Sequence, residues 1–246
     1  MIIDSHVHIG STEKTKRSFT FASYKELMDK NNINSAIVMP NLSKERIFSE
    51  LNRSFMEDYL SLDNREPFYP FILMDSHDQR TFEQVATYRR EIYGVKYHPS
   101  ISELEINSPM LLRYFERVRE FNLLCLVHCG RDKKSHISHL TQVAEIFPSI
   151  NFIAAHMGGS ATDLSERAIL HLEQTNSKNI YLDTSAGKLP WLIDNAVERL
   201  GVERIIFGSD EPYADIRVAK YLIDLANIST EAKEDILYKN IERILK

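Results

Sequence analysis

Two hydrophobic rhythms alternate along the chain. Short apolar runs of strand character at Ile2 to His8, Ser35 to Met39, Phe68 to Met74, Gly94 to His98, Leu123 to His128, Asn151 to His156, Ile180 to Thr184 and Arg204 to Gly208 predict eight β-strands. Between them, apolar positions recur at helical spacing: Tyr24, Leu27 and Met28; Ile47, Leu51 and Phe55; Phe82 and Val85 leading to Ile92; Leu111, Phe115 and Val118; Ile193, Val197 and Leu200; Val218, Leu222 and Leu225. Ser108-Pro109 offers a capping hydroxyl followed by a proline at the first helical position, and Ser43 and Thr81 stand where N-caps are expected. Beyond Ser229-Thr230, the spacing of Ile236, Leu237, Ile241, Ile244 and Leu245 predicts an additional C-terminal amphipathic helix at the bottom or side of the fold.

Regular βα alternation with right-handed crossovers leaves two architectures, an open doubly wound sheet or a closed ring. The strand ends decide between them. His6 and His8 end the first run, Lys96 and His98 the fourth, His128 the fifth, His156 the sixth, and Asp210 follows the eighth. An open sheet concentrates its chemistry near one switch point, whereas a closed ring gathers every strand end at one mouth. The expected fold is therefore α/β, a single (β/α)8 TIM barrel spanning 1–246 as one domain, with the extra C-terminal helix. A length of 246 residues suits such a barrel, and no Gly/Ser-rich linker or low-complexity tract marks a second domain.

Strict alternation on the first strand predicts His6 and His8 on one face, with Asp4, and Ile3 and Val7 on the other. Two imidazoles so placed can chelate one metal ion. His128, His156 and Asp210 each end an apolar run and precede a turn, and imidazole with carboxylate suits zinc, or iron, manganese or cobalt. Lys96 and His98 share a strand face and are expected to point inward. Asp183 reads either as an acceptor that orients a ligand histidine or as a cap for the following loop. His77, His136, His139 and His171 are expected on loops or helix surfaces, Trp191 in the core or a pocket wall, and Ile9 to Ala22 forms a candidate lid.

A net charge of −5 and a pI near 6.0 provide no broad basic surface, which disfavours nucleic acid as a partner and favours a small-molecule substrate. No run reaches the ~18 apolar residues of a membrane span, and no basic-then-apolar leader opens the chain, so a cytoplasmic protein with no membrane partner is expected. A homodimer is left open. Cys125 and Cys129 lie about 13 Å apart along an extended strand, too far for a mutual disulfide, and read as reduced thiols.

His6-Val7-His8, Val127-His128-Cys129-Gly130, Ala155-His156-Met157-Gly158-Gly159 and Gly208-Ser209-Asp210-Glu211-Pro212 together resemble the amidohydrolase superfamily. The resemblance is to its compact amidohydrolase-related branch, which also contains decarboxylases of the aminocarboxymuconate-semialdehyde type. It implies a divalent metal held by His6, His8 and Asp210, with His128 as a further ligand and His156 either completing the site or bonding substrate. It also implies Asp210 as general base in the attack of water on an amide, ester or lactone of a small, anionic substrate, with nonoxidative decarboxylation or hydration as the alternative. In binuclear members a fourth-strand lysine is carboxylated and bridges two metals. Lys96 stands at that position, with His98 beside it, and one zinc is preferred to two. The superfamily's deoxyribonuclease branch would carry a glutamate there, and this chain has none.

Overall fold

The computed structural model describes residues 1–11, 18–42, 47–187 and 189–245. Ser43 and residues 12–17 of the expected lid lie outside them. The strands are β1 (Ile3–Ser11), β2 (Ser18–Phe19), β3 (Ser35–Pro40), β4 (Phe68–Leu73), β5 (Gly94–Tyr97), β6 (Leu124–Val127), β7 (Phe152–Ala154), β8 (Ile180–Asp183) and β9 (Ile205–Ile206). The principal helices are α1 (Phe21–Asn31), α2 (Phe48–Leu60), α3 (Gln79–Thr87), α4 (Pro109–Glu120), α5 (Ile137–Ile146), α6 (Thr162–Glu173), α7 (Trp191–Leu200) and α8 (Ile216–Leu225). Each expected strand is present within three residues of its expected ends. β2 is an addition, a two-residue antiparallel partner of the end of β1.

The sheet runs β2-β1-β3-β4-β5-β6-β7-β8-β9 and is parallel throughout except for β2. Backbone continuing from β9 comes back to β1, where Ser5 N donates to Phe207 O (2.9 Å), Asp210 N to His6 O (2.9 Å) and His8 N to Glu211 O (2.8 Å). The architecture is thus a curled, TIM-barrel-like α/β sheet. Side chains alternate across it. Ala36, Val38, Val95, Cys125, Val127, Phe152 and Ala154 face the helices, whereas Ile37, Met39, Phe71, Leu124, Leu126, Ile153 and Ile206 form a separate inner cluster.

The C-terminal helical stretch closes that inner cluster. It comprises α9 (Thr230–Glu234), a π-helical segment (Asp235–Lys239) and α10 (Asn240–Leu245). Ile241 is fully buried among the inner residues with Tyr238, Ile244 and Leu245 packed beside it, and Asn240 Nδ2 donates to Val202 O (2.7 Å) and Ile205 O (2.8 Å). Among the described residues no helix is long and apolar enough to cross a membrane.

Three sequence expectations are corrected. β1 does not alternate uninterrupted: Asp4 pairs with Ala36 and Val7 with Val38, three steps against two, so β1 carries one extra residue. That bulge reverses the parity, turning Ile3 inward with His6 and His8 and sending Asp4 outward to α1. Thr81 is not an N-cap; α3 starts after Asp78, and the buried Thr81 hydroxyl lies 2.8 Å from Asp78 O, bonding back within the first turn. Trp191 opens α7 on the surface, 41% exposed. The Ser108 cap with Pro109 at the first helical position is as expected.

Candidate metal centre

Three metal-competent atoms meet where β1 adjoins the chain beyond β9. His6 Nε2 lies 3.2 Å from His8 Nε2, and Asp210 Oδ1 lies 3.5 Å from the first and 3.4 Å from the second. Corners of a tetrahedron about an ion ~2.1 Å away are separated by about 3.4 Å, so the triangle has the size of three sites of one coordination sphere. Each imidazole also has its other nitrogen occupied. His6 Nδ1 bonds Asp183 Oδ2 (2.9 Å), and His8 Nδ1 lies 3.4 Å from Pro40 O. These partners favour protons on Nδ1 and leave the Nε2 lone pairs facing each other, an arrangement that suits a cation between them. Lys96 Nζ, 3.1 Å from His6 Nε2, lies beside the same lone pair.

The protonation states suit the same purpose. Burial, with the nearby Lys96 cation, pushes His6 down to about 4, against the pull of Asp183 and Asp210. Burial also lowers His8, opposed by its bond to Asp210. For Asp210 burial acts upward, but His6 and the His8 hydrogen bond outweigh it and hold the carboxyl below its ordinary range. Burial brings Lys96 down to about 8 despite Asp210 and Asp183. At neutral pH the imidazoles are therefore neutral and Asp210 is ionised, the states that a divalent ion requires of its ligands.

A second group of imidazoles stands beside the triangle. His156 Nε2 lies 3.1 Å from His128 Nδ1, His156 Nδ1 bonds Ser185 Oγ (2.8 Å), and His98 stacks on His128 at 3.8 Å between ring centroids. Burial holds both His98 and His128 well below their ordinary pKa. The structure thus gathers His6, His8 and Asp210 into one cluster with Lys96 against it, and pairs His128 with His156. His156, with Asp183 and His6, also belongs to a second set of grouped metal-competent atoms. His156 and Asp210 have positive φ, 61° and 66°, a conformation uncommon for residues other than glycine, though histidine and aspartate adopt it more often than most. Gly208 is required for close approach, since a Cβ there would lie 3.0 Å from Ser5 Oγ and 3.2 Å from His6 Cβ.

Sequence reasoning undervalued Asp183 and missed Ser185. Asp183 is fully buried, and its Oδ1 accepts from His156 N (2.8 Å), from Ser185 N (3.1 Å) and from the Ser185 hydroxyl, while Oδ2 holds His6. One carboxylate therefore ties both imidazole groups together. The available signal was a polar run, Asp183-Thr184-Ser185, at the end of an apolar strand. Tyr213 sets its ring edge-on to His8 at 5.4 Å and donates to Asn41 Oδ1. A cleft of about 780 Å3 is lined in part by Ile9, Gly10, Phe21 and Phe55, and by Pro40 and Asn41, which His8 and Tyr213 respectively also contact.

A family model described as Amidohydrolase matches residues 3–246. No curated protein matches the sequence. Among solved structures, a dihydroxybenzoic acid decarboxylase from Polaromonas sp., with bound manganese and the inhibitor 2-nitroresorcinol, is 16% identical, with a TM-score of 0.76 over 99% of this chain and 96% of that one. An amidohydrolase from Burkholderia multivorans with bound zinc is 14% identical, with a TM-score of 0.78 over 100% and 99% of the two chains. A candidate 2-pyrone-4,6-dicarboxylic acid hydrolase from Pseudomonas putida is 13% identical, with a TM-score of 0.73 over 99% and 97%.

Proposed function

The chain belongs to the amidohydrolase family, and on that premise we propose that it is a metal-dependent hydrolase, cleaving an amide, ester or lactone bond of a small anionic substrate with water. The observation that carries this reading is the triangle of His6 Nε2, His8 Nε2 and Asp210 Oδ1, with sides of 3.2 to 3.5 Å, built from neutral imidazoles and an ionised carboxylate. We read the curled sheet as the closed (β/α)8 barrel and the ion as a single zinc held by His6, His8 and Asp210, with His128 or His156 completing the set. A divalent ion there supplies Lewis acidity, polarising a carbonyl and bringing a water toward ionisation near neutral pH.

The residues do the rest. Asp210, ionised, accepts a proton from the attacking water at a carboxylate oxygen and returns it to the leaving group. Asp183 fixes His6 in the tautomer that exposes Nε2 and, through the backbone of His156, fixes the second imidazole group. Lys96 places a buried cation at the floor of the mouth, suited to a substrate carboxylate. Whichever of His128 and His156 does not complete the metal's set exchanges their mutual hydrogen bond for one to a substrate oxygen.

The alternative is nonoxidative decarboxylation or hydration with the same metal and Asp210 as proton donor. It is supported by the fold likeness to decarboxylases over the whole chain and by Lys96 as a carboxylate contact. Elemental mass spectrometry on purified protein is expected to find about one transition metal per chain. Incubation with lactones, esters, amides and unsaturated or aromatic acids then separates the readings, by acid release for hydrolysis and by CO2 release for decarboxylation. Full activity after exhaustive chelation refutes both.

A further inference from the structure

We propose that Asp4, anchored by Tyr24, is a positioning residue that sets the spacing between His6 and Asp210 and thereby the affinity of their cluster for a divalent ion; this rests on the metal-site reading above. Asp4 is fully buried and turns toward α1, where Tyr24 meets it. Its Oδ1 accepts from two backbone amides, His6 N (3.2 Å) and Ser209 N (2.9 Å), and its Oδ2 accepts from the Tyr24 hydroxyl of α1 (3.0 Å). Those two amides belong to one member of the cluster and to the residue preceding another.

Their place in the sheet explains the arrangement. Backbone bonds between β1 and the chain beyond β9 flank this point on both sides, from Ser5 N to Phe207 O and from Asp210 N to His6 O. In between, where β1 carries its extra residue, a single carboxylate oxygen serves His6 N and Ser209 N. One side chain therefore spans both backbones at the bulge that turns His6 inward. Tyr24, also fully buried, holds the carboxylate from the helix side. The 3.5 Å between His6 Nε2 and Asp210 Oδ1 depends on this bridge.

The role requires an acceptor and not a charge. In Asp4→Asn the amide oxygen still takes both backbone N–H groups, and the amide NH2 turns to Tyr24, whose hydroxyl oxygen can accept. In Asp4→Ala both N–H groups are left buried and unpaired. The test is Zn2+ affinity of the full-length chain, stripped and titrated against a chromophoric chelator, together with amide hydrogen exchange at His6 and Ser209 in the metal-free state. By analogy with other outer partners of metal ligands, Asp4→Ala is expected to weaken Zn2+ binding by about tenfold or more and to speed exchange at both amides. Asp4→Asn is expected to stay within about threefold of wild type, and Tyr24→Phe to fall between the two.

Wild-type affinity in folded Asp4→Ala overturns the proposal, because Asp4 would then contribute stability alone. Equal losses in Asp4→Asn and Asp4→Ala overturn it as well, since charge would then be the operative property. If Asp4→Ala does not fold, Tyr24→Phe against Asp4→Asn decides: weaker binding by Tyr24→Phe supports the bridge, and indistinguishable affinities refute it. Wild-type protein that takes up no Zn2+ refutes the metal-site reading itself, and amide exchange in the variants then decides the role of Asp4 without it.

Discussion

Asp183→Asn changes one atom and is expected to disable His6 as a ligand. In the wild type Asp183 Oδ2 accepts the His6 Nδ1 proton at 2.9 Å, while Oδ1 accepts from His156 N, Ser185 N and the Ser185 hydroxyl. Asparagine has one oxygen for these four donors. With its oxygen toward His156 and Ser185, where most of the donors lie, its NH2 faces His6 Nδ1. The imidazole can accept that bond only by moving its proton to Nε2, the atom that faces His8 and Asp210. Protonated Nε2 cannot bind a metal. Loss of an orienting carboxylate of this kind typically costs about 10- to 100-fold in metal affinity, or about 1.4 to 2.7 kcal/mol. The assay is competitive Zn2+ titration of stripped protein, with circular dichroism to establish that the variant is folded. Affinity within twofold of wild type in folded Asp183→Asn refutes the tautomer argument.

Three further outcomes follow from the same geometry. Burial raises Asp4 from 3.8 to about 7, so folded protein binds more protons there than unfolded protein between those values, and Asp4 erodes stability as pH rises through that window. His6, lowered from 6.5 to about 4, acts oppositely and costs stability as pH falls through its window. In metal-free protein Asp4→Asn is therefore expected to steepen the rise of stability with pH by about 1.4 kcal/mol per pH unit from about pH 4 to 7, read from urea unfolding, and an unchanged slope refutes it. Lys96→Met should retain about one metal per chain by elemental analysis but raise KM for carboxylate-bearing substrates by about tenfold, since a close charge-assisted contact is worth about 1.5 kcal/mol or more; loss of the metal would instead favour Lys96 as a bridging ligand. Ile241→Ala removes a fully buried side chain from the C-terminal stretch packed on the inner face of the curled sheet and is expected to cost about 2 to 5 kcal/mol in denaturant unfolding without changing metal stoichiometry.

The strand order and the cluster were legible because both rest on short-range pattern. Eight apolar runs separated by helical spacings define the alternation, and residues at strand ends must converge when parallel strands curl into a ring. His6 ends the bulged segment and still alternates with Val7 and His8, so the two histidines keep a common face. The partition of the histidines was not legible. Whether His128 meets the triangle or His156 depends on the backbone of His156, whose φ of 61° no propensity announces. Asp183 was visible as a strand-end carboxylate, but its link to His6 spans 177 positions and depends on closure of the sheet.

The bulge in β1 is where local rules and the fold part, and the two failures of the alternation argument have one origin. Uninterrupted pleating would put Ile3 and the two histidines on opposite faces, leaving either the inner apolar layer or the mouth without its residue. One extra residue lets the same strand contribute Ile3 to the inner layer and His6 and His8 to the mouth. The insertion costs ladder hydrogen bonds, and a buried carboxylate directed at the affected amides offsets that loss. Violations of local pattern concentrated at a site and compensated by a neighbouring side chain are what function imposes on an otherwise consistent sequence. Asp4, which reads by alternation as a companion of the histidines, serves them from the opposite face.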